Sequence, residues 1–185
     1  NYHTNFKLKQ TKNNPDHVVF SDPYGYIIDD FEILKTQLNH SMGRSPNGSD
    51  TWNIFTDPTL GNENSEPSYT AYAEAPLMSL EAGFHNGTQY LEISTNDPNT
   101  DIRYTTNGNK PFFGSTLYSG PITISSTQVV KAIVFADDPS ILPSFITFNT
   151  YFIDENHSLP VLSTSANQLT SMLNGNQTLR PHGTI

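Results

Sequence analysis

Short runs in which apolar and polar residues alternate, each closed by Gly, Pro, Asn or Asp, recur through most of the chain. The three-to-four-residue spacing of an amphipathic helix is nearly absent, so the pattern predicts strands. The first block holds His17-Val18-Val19-Phe20, the turn Ser21-Asp22-Pro23-Tyr24-Gly25, and Tyr26-Ile27-Ile28-Asp29-Asp30-Phe31-Glu32-Ile33. Pro presets one turn dihedral and Gly accepts a positive φ, so two paired strands around a tight turn are expected. A polar stretch from Asn39 to Ser49 follows, and then the short apolar run Trp52-Asn53-Ile54-Phe55. The segment from Asp57 to Pro67 is rich in turn residues and poor in apolar ones, which marks a domain boundary.

The pattern restarts near Ala75-Pro76 with Gly83-Phe84-His85, Tyr90-Leu91-Glu92-Ile93-Ser94 and Asp101-Ile102-Arg103-Tyr104-Thr105-Thr106. It continues with Thr116-Leu117-Tyr118, Ile122-Thr123-Ile124, Val129 to Ala136, and Phe145 to Ile153. About seven short strands with turn signals between them indicate an immunoglobulin-like or fibronectin-like sandwich. In the Val129 run, Val130, Ala132, Val134 and Ala136 are expected to face inward, opposite a mixed outer face of Val129, Lys131, Ile133 and Phe135. Residues 154–185 lose this rhythm. Ser158 to Ser163 reads as one more extended segment and Asn167 to Leu173 as a short helical turn, and the chain reads as cut from something longer.

Composition narrows the function. Asp and Glu number 18 against 9 Lys and Arg, and the resulting formal charge of -9 disfavours phosphate backbones and anionic membrane surfaces. Nucleic acid is therefore not an expected partner, and no apolar run is long enough for membrane insertion. The absence of cysteine excludes disulfides, thiolate metal sites and a cysteine nucleophile. The adjacent carboxylates Asp29-Asp30 lie on a strand, where neighbours point to opposite faces, and Asp137-Asp138 precedes Pro in a turn. Neither pair has a histidine at a spacing that suggests acid and base work. Asp97-Pro98-Asn99-Thr100-Asp101 begins like a calcium loop, but an EF-hand needs Gly and Glu where the chain has Ile102 and Gly108. Asp97, Asn99 and Asp101 are thus a loose calcium candidate beside a plain turn reading. The six histidines lack helical i, i+4 spacing, and neither a Gly-x-Ser-x-Gly elbow nor a phosphate loop occurs. No active site is expected within the chain.

Aromatic residues are the better lead, because sugar rings present apolar C–H faces that pack on exposed aromatic surfaces. Phe112-Phe113 lies between Pro111 and Gly114, with Tyr104 and Tyr118 as candidate flanks for glycan contact. The plainer alternative has one ring closing the sandwich end and the other packing on a neighbouring domain. Trp52 is expected in a core. Sequons at Asn39, Asn47, Asn86, Asn156 and Asn176 are what so much Asn, Ser and Thr yields by chance.

Three segments resemble consecutive modules of an exported bacterial protein. Residues 3–64, with His3 to Leu8, Asp22-Pro23-Tyr24-Gly25, His40 to Gly48, and Trp52 through Pro58-Thr59-Leu60-Gly61, are similar to the C-terminal half of a lamin-tail domain. Leu60 departs from that family's usual Pro. Ile102 to Pro111, Tyr118-Ser119-Gly120-Pro121-Ile122 and Val130-Lys131-Ala132 resemble the C-terminal β-sandwich of chitobiase and β-hexosaminidase. In that resemblance Asn107-Gly108 replaces Asp-Gly, either pair suiting a type I′ hairpin turn, and Phe112-Phe113 replaces small or polar residues. Residues 150–173 resemble the entry into a spore-coat-protein-H (CotH) kinase-like domain, without its catalytic motifs.

The expectation is therefore an all-β chain of tandem immunoglobulin-like or fibronectin-like sandwiches. A partial lamin-tail-like module occupies residues 1–65, a chitobiase-C-terminal-like sandwich 70–153, and a tail toward a CotH-like domain 154–185. The expected role is a non-catalytic accessory or scaffold region of a secreted or cell-surface bacterial protein that contacts glycans or the cell envelope. The alternatives are a carbohydrate-binding module with a loop aromatic platform and a regulatory region of a CotH-like kinase. The expected partners are neighbouring domains and polysaccharide. An open edge in a partial first module also predicts dimerisation by β-augmentation.

Overall fold

The computed structural model describes residues 8, 10 and 14–164, and the expected turn from Asn167 to Leu173 lies outside them. The described residues form fifteen strands and no helix, an all-β architecture of immunoglobulin-like sandwich type. The chain divides into two compact units, Asn1–Ala71 and Tyr72–Ile185.

In the first unit β1 (His17–Ser21) and β2 (Ile27–Glu32) pair antiparallel around the expected turn. The Asp22 carboxylate accepts from the N–H groups of Tyr24 at 2.9 Å and Tyr26 at 2.8 Å, while Gly25 takes φ 91°. These bonds hold the turn closed. β3 (Ser41–Arg44) and β4 (Trp52–Phe55) form a second antiparallel pair, matching Met42 to Ile54 and Arg44 to Trp52. β3 lies in the polar stretch from Asn39 to Ser49, where the sequence pattern predicted no strand. It pairs because Arg44 has a ring to cover: its guanidinium lies 4.9 Å from the Trp52 ring and donates to Asp29 at 2.6 Å. Trp52 stacks on Phe31 with centroids 3.8 Å apart, consistent with the expected core role, while Ile33, Ile54 and Phe55 are buried. The segment marked as a boundary folds back, and the Asn64 side chain donates to the Arg44 carbonyl at 2.9 Å. A Cβ at Gly43 would stand 2.5 Å from that amide nitrogen, so the contact requires glycine.

β5 (Ala71–Tyr72) spans the boundary between units. The second unit continues with β6 (Leu77–Met78), β7 (Gly83–His85), β8 (Gln89–Leu91), β9 (Ile93–Ser94), β10 (Thr100–Thr105) and β11 (Thr116–Leu117). It ends with β12 (Ile122–Ile124), β13 (Gln128–Ala136), β14 (Ile141–Leu142) and β15 (Thr147–Ile153). One layer is a five-stranded sheet in the order β11-β10-β13-β15-β7, antiparallel except for the parallel pair of β15 and β7. The other layer consists of β6 on β9 and β12 on β8. Between them lies one apolar cluster that includes Leu91, Ile93, Ile102, Ile124, Val130, Val134 and Tyr151.

Strand alternation selects that core, but not strictly. Val130, Ala132 and Val134 are buried as expected, whereas Ala136 at the strand end is half-buried. Lys131 and Ile133, expected on the mixed outer face, are buried too. β13 is the central strand of its sheet, so side chains of β10 and β15 flank it on both sides and cover its outer face. Tyr151 ties the layers together: its hydroxyl donates to the Leu80 carbonyl at 3.0 Å and accepts from the Asn149 amide at 3.2 Å.

Candidate functional site

The loop from β10 to β11 carries the aromatic residues singled out in the sequence. Gly108 adopts φ 75°, but Asn107 does not take a positive φ, so the expected type I′ hairpin does not form. Instead the Gly108 N–H donates to the Val129 carbonyl at 3.2 Å and the Thr105 hydroxyl donates to Asn109 O at 2.7 Å. The chain thereby stays beside β13 and reaches β11 through a wider loop. Pro111 is buried and anchors that loop, which closes as a turn when the Ser115 N–H donates to Phe112 O at 2.8 Å. The Ser115 hydroxyl oxygen accepts from the Phe112 N–H at 3.0 Å. A Cβ at Gly114 would come within 2.6 Å of the Phe112 ring, so glycine lets that ring lie against the turn.

This turn presents Phe112 at 65% and Phe113 at 66% exposure. Phe113 rests edge-on against Phe135 with centroids 5.6 Å apart, and the Arg103 guanidinium lies 5.1 Å from its ring. Arg103 also donates to the Asp101 carboxylate at 2.7 Å and to Ser115 O at 3.3 Å. Strand register explains the cluster. Asp101 stands opposite Phe135 and Arg103 opposite Ile133, so all four project from the outer face of the five-stranded sheet. The buried Nε–H of Arg103 has no hydrogen-bond partner among the described residues.

Tyr104 and Tyr118 are elsewhere. Tyr104 follows Arg103 in β10 and therefore points to the opposite face. It meets Tyr118 edge-on at 6.4 Å, and both pack against the core cluster. The structure thus brings Phe113 together with Asp101, Arg103 and Phe135, places Phe112 beside it on the turn, and leaves the two tyrosines on the inner face.

The calcium candidates do not converge. The Asp97 carboxylate accepts from the Glu74 N–H at 2.9 Å, Asp101 is engaged by Arg103, and Asn99 sits in a left-handed turn at φ 55°. Asp97, Asp137 and Asp138 do line a depression of about 460 Å³, yet no group of three or more metal-ligating side chains is placed to hold an ion among the described residues. Backbone and side-chain bonds to Ser140 hold the Asp138 carboxyl below its ordinary value, as in a turn. Asp29 and Asp30 diverge as expected, one bonding Arg44 and the other lying 3.8 Å from His17. His85 contacts Glu81 O, and His157 contacts Glu155.

A second aromatic area on the same outer face went unpredicted. Phe84 stacks on Phe152 at 4.7 Å, His157 meets both edge-on, and the Thr150 and Ser163 hydroxyls are 2.7 Å apart. The alternation of Phe148, Thr150 and Phe152 with inward residues was the available signal. What hid it was the pairing partner Phe84, which comes from a strand more than sixty residues earlier.

Residues 80–140 match the family described as the chitobiase/beta-hexosaminidase C-terminal domain. That domain is a non-catalytic, carbohydrate-associated accessory domain of immunoglobulin-like fold. No curated protein and no solved structure matches the chain.

Proposed function

We propose that the chain is a non-catalytic accessory region of a secreted or cell-surface bacterial protein, and that its second unit contacts polysaccharide through the Phe112–Phe113 turn. The observation that carries this reading is Phe113, two-thirds exposed and seated on an Arg103–Asp101 pair. An aromatic ring offers the surface a pyranose C–H face packs on, and a partly exposed carboxylate with a guanidinium offers acceptor and donor atoms to neighbouring hydroxyls. The match at residues 80–140 to a carbohydrate-associated domain supports the same reading. The resemblances of residues 3–64 to a lamin-tail domain and 150–173 to a CotH-like region support a multidomain, exported setting.

The test is a pull-down of the full chain on chitin, cellulose, xylan and peptidoglycan beside a Phe112→Ala, Phe113→Ala double variant. Retention that is lost in a still-folded variant is expected. Absence of retention on every matrix would leave a spacer role and remove the glycan contact.

A further inference from the structure

The outer face of the five-stranded sheet carries aromatic rings at both ends. Asp101, Arg103, Phe113 and Phe135 gather at one end. At the other, Phe84 of β7 stacks on Phe152 of β15, and these two rings line a depression of about 240 Å³ together with Phe148, Thr150, Val161 and Ser163. Phe84 and Phe148 remain 49% and 45% exposed. Polar groups edge the rings: His157 is held by Glu155 at 2.9 Å, and the Thr150 and Ser163 hydroxyls lie 2.7 Å apart. Lys131 lies between the two ends. Its neighbours on this face are Val129 and Ile133 along β13, Thr105 on β10 and Phe148 on β15. The residue is 7% exposed, and no hydrogen bond or ion pair engages its ammonium among the described residues. That ammonium still reaches solvent, because Arg103 Nε is the one fully enclosed side-chain polar atom without a partner among the described residues. A desolvated cation with unused donors costs stability, and local costs of this kind are characteristic of binding positions.

We infer that this outer face is one continuous track for a neutral polysaccharide, running from Phe113 past Lys131 to Phe84 and Phe152. Such a track rests on the glycan contact at the Phe112–Phe113 turn and lengthens it from one sugar ring to several. Along β13 the ends are seven residues apart, from Phe135 to Gln128, whose partner Tyr151 precedes Phe152. At ~3.3 Å per residue that is ~23 Å, more than a single sugar ring spans. The chemistry of the face selects the ligand. Its rings offer apolar surfaces, while the Lys131 ammonium and the Thr150 and Ser163 hydroxyls supply hydrogen bonds to ring oxygens and hydroxyls between them. A peptide finds no ladder to join here, because the backbone groups of β13 and β15 already pair within the sheet on both sides. The net charge of -9 opposes a polyanion.

The full chain is titrated calorimetrically with cello-, xylo- and chito-oligosaccharides of increasing length, beside Phe84→Ala and Lys131→Met. A short oligosaccharide reaches one aromatic end, whereas one long enough to span the face engages both, the second at high effective concentration. Affinity for at least one series is expected to rise at least about tenfold from the short to the spanning length. Either substitution should flatten that rise, Phe84→Ala by removing the far ring and Lys131→Met by removing the donor midway. Melting temperatures separate lost binding from lost fold, since Lys131→Met removes a buried unpaired charge and should melt no lower than the parent. Affinity that does not change with length, or a rise that survives either substitution, would overturn the track while leaving the contact at Phe113 in place. Failure of every series to bind would overturn the track and the glycan contact together.

Discussion

Replacing Arg103 with Met separates what holds the Phe113 turn from what the turn does. Arg103 makes an ion pair with Asp101 at 2.7 Å, a hydrogen bond to Ser115 O at 3.3 Å and a ring contact with Phe113. A partly exposed ion pair contributes ~0–1 kcal/mol, and an exposed cation–π contact contributes ~0.5–1 kcal/mol. The hydrogen bond adds ~1 kcal/mol. Against these stands the buried Nε–H without a partner, a desolvation cost of ~1–3 kcal/mol. The opposing contributions nearly cancel. Asp101 is exposed enough for water to replace its partner, and Met preserves much of the packing of the arginine stem. Urea unfolding of Arg103→Met should therefore change by no more than about 1.5 kcal/mol. Polysaccharide retention should fall clearly, because Phe113 loses its seat and the site loses its donor. A destabilisation above about 3 kcal/mol would refute this balance and make Arg103 a structural anchor.

Other expectations follow from the core. Tyr151→Phe should cost about 1 kcal/mol in urea unfolding, the net worth of a neutral hydrogen bond, because Leu80 O keeps the Asn149 amide at 2.9 Å. Burial pushes the Tyr151 phenol above its ordinary 10.0, so the folded state holds that proton more tightly and stability should fall as pH rises past 10. Tyr151→Phe should remove that fall. Burial lowers the Lys131 ammonium below its ordinary 10.5, so the unfolded chain is the better proton acceptor. Its cost is present at neutral pH and is relieved as pH approaches 10.5. Lys131→Met should accordingly raise the melting temperature at pH 7 and flatten the alkaline dependence.

The longer strands were legible because alternation is a local property. β10, β12, β13 and β15 lie within the runs predicted for them or begin one residue earlier, each bounded by Asn, Asp, Ser or Pro. β6 and β14 are two residues long, too short to carry a period, and form only because partners are already in place. β3 was hidden for a different reason, since its polar residues are justified by Trp52 and Asn64 rather than by their own hydrophobicity. At the candidate site the sequence located Phe112 and Phe113 but not their company. Asp101 and Arg103 are separated from Phe113 by the whole loop, and register with β13 assembles them. Tyr104 was grouped with them by proximity in sequence, whereas the two-residue period of a strand turns it away from its neighbour Arg103.

Affinity electrophoresis of the full chain through gels containing each soluble polysaccharide tests the glycan contact most directly, with Phe113→Ala and Tyr90→Ala run alongside. Tyr90 is equally exposed but lies on β8, in the other layer, and so controls for unspecific aromatic adhesion. Retardation that Phe113→Ala abolishes and Tyr90→Ala preserves, with both variants melting as the parent does, is the predicted result. Retardation unaffected by Phe113→Ala, or lost equally in both variants, would contradict a glycan site at the Phe112–Phe113 turn.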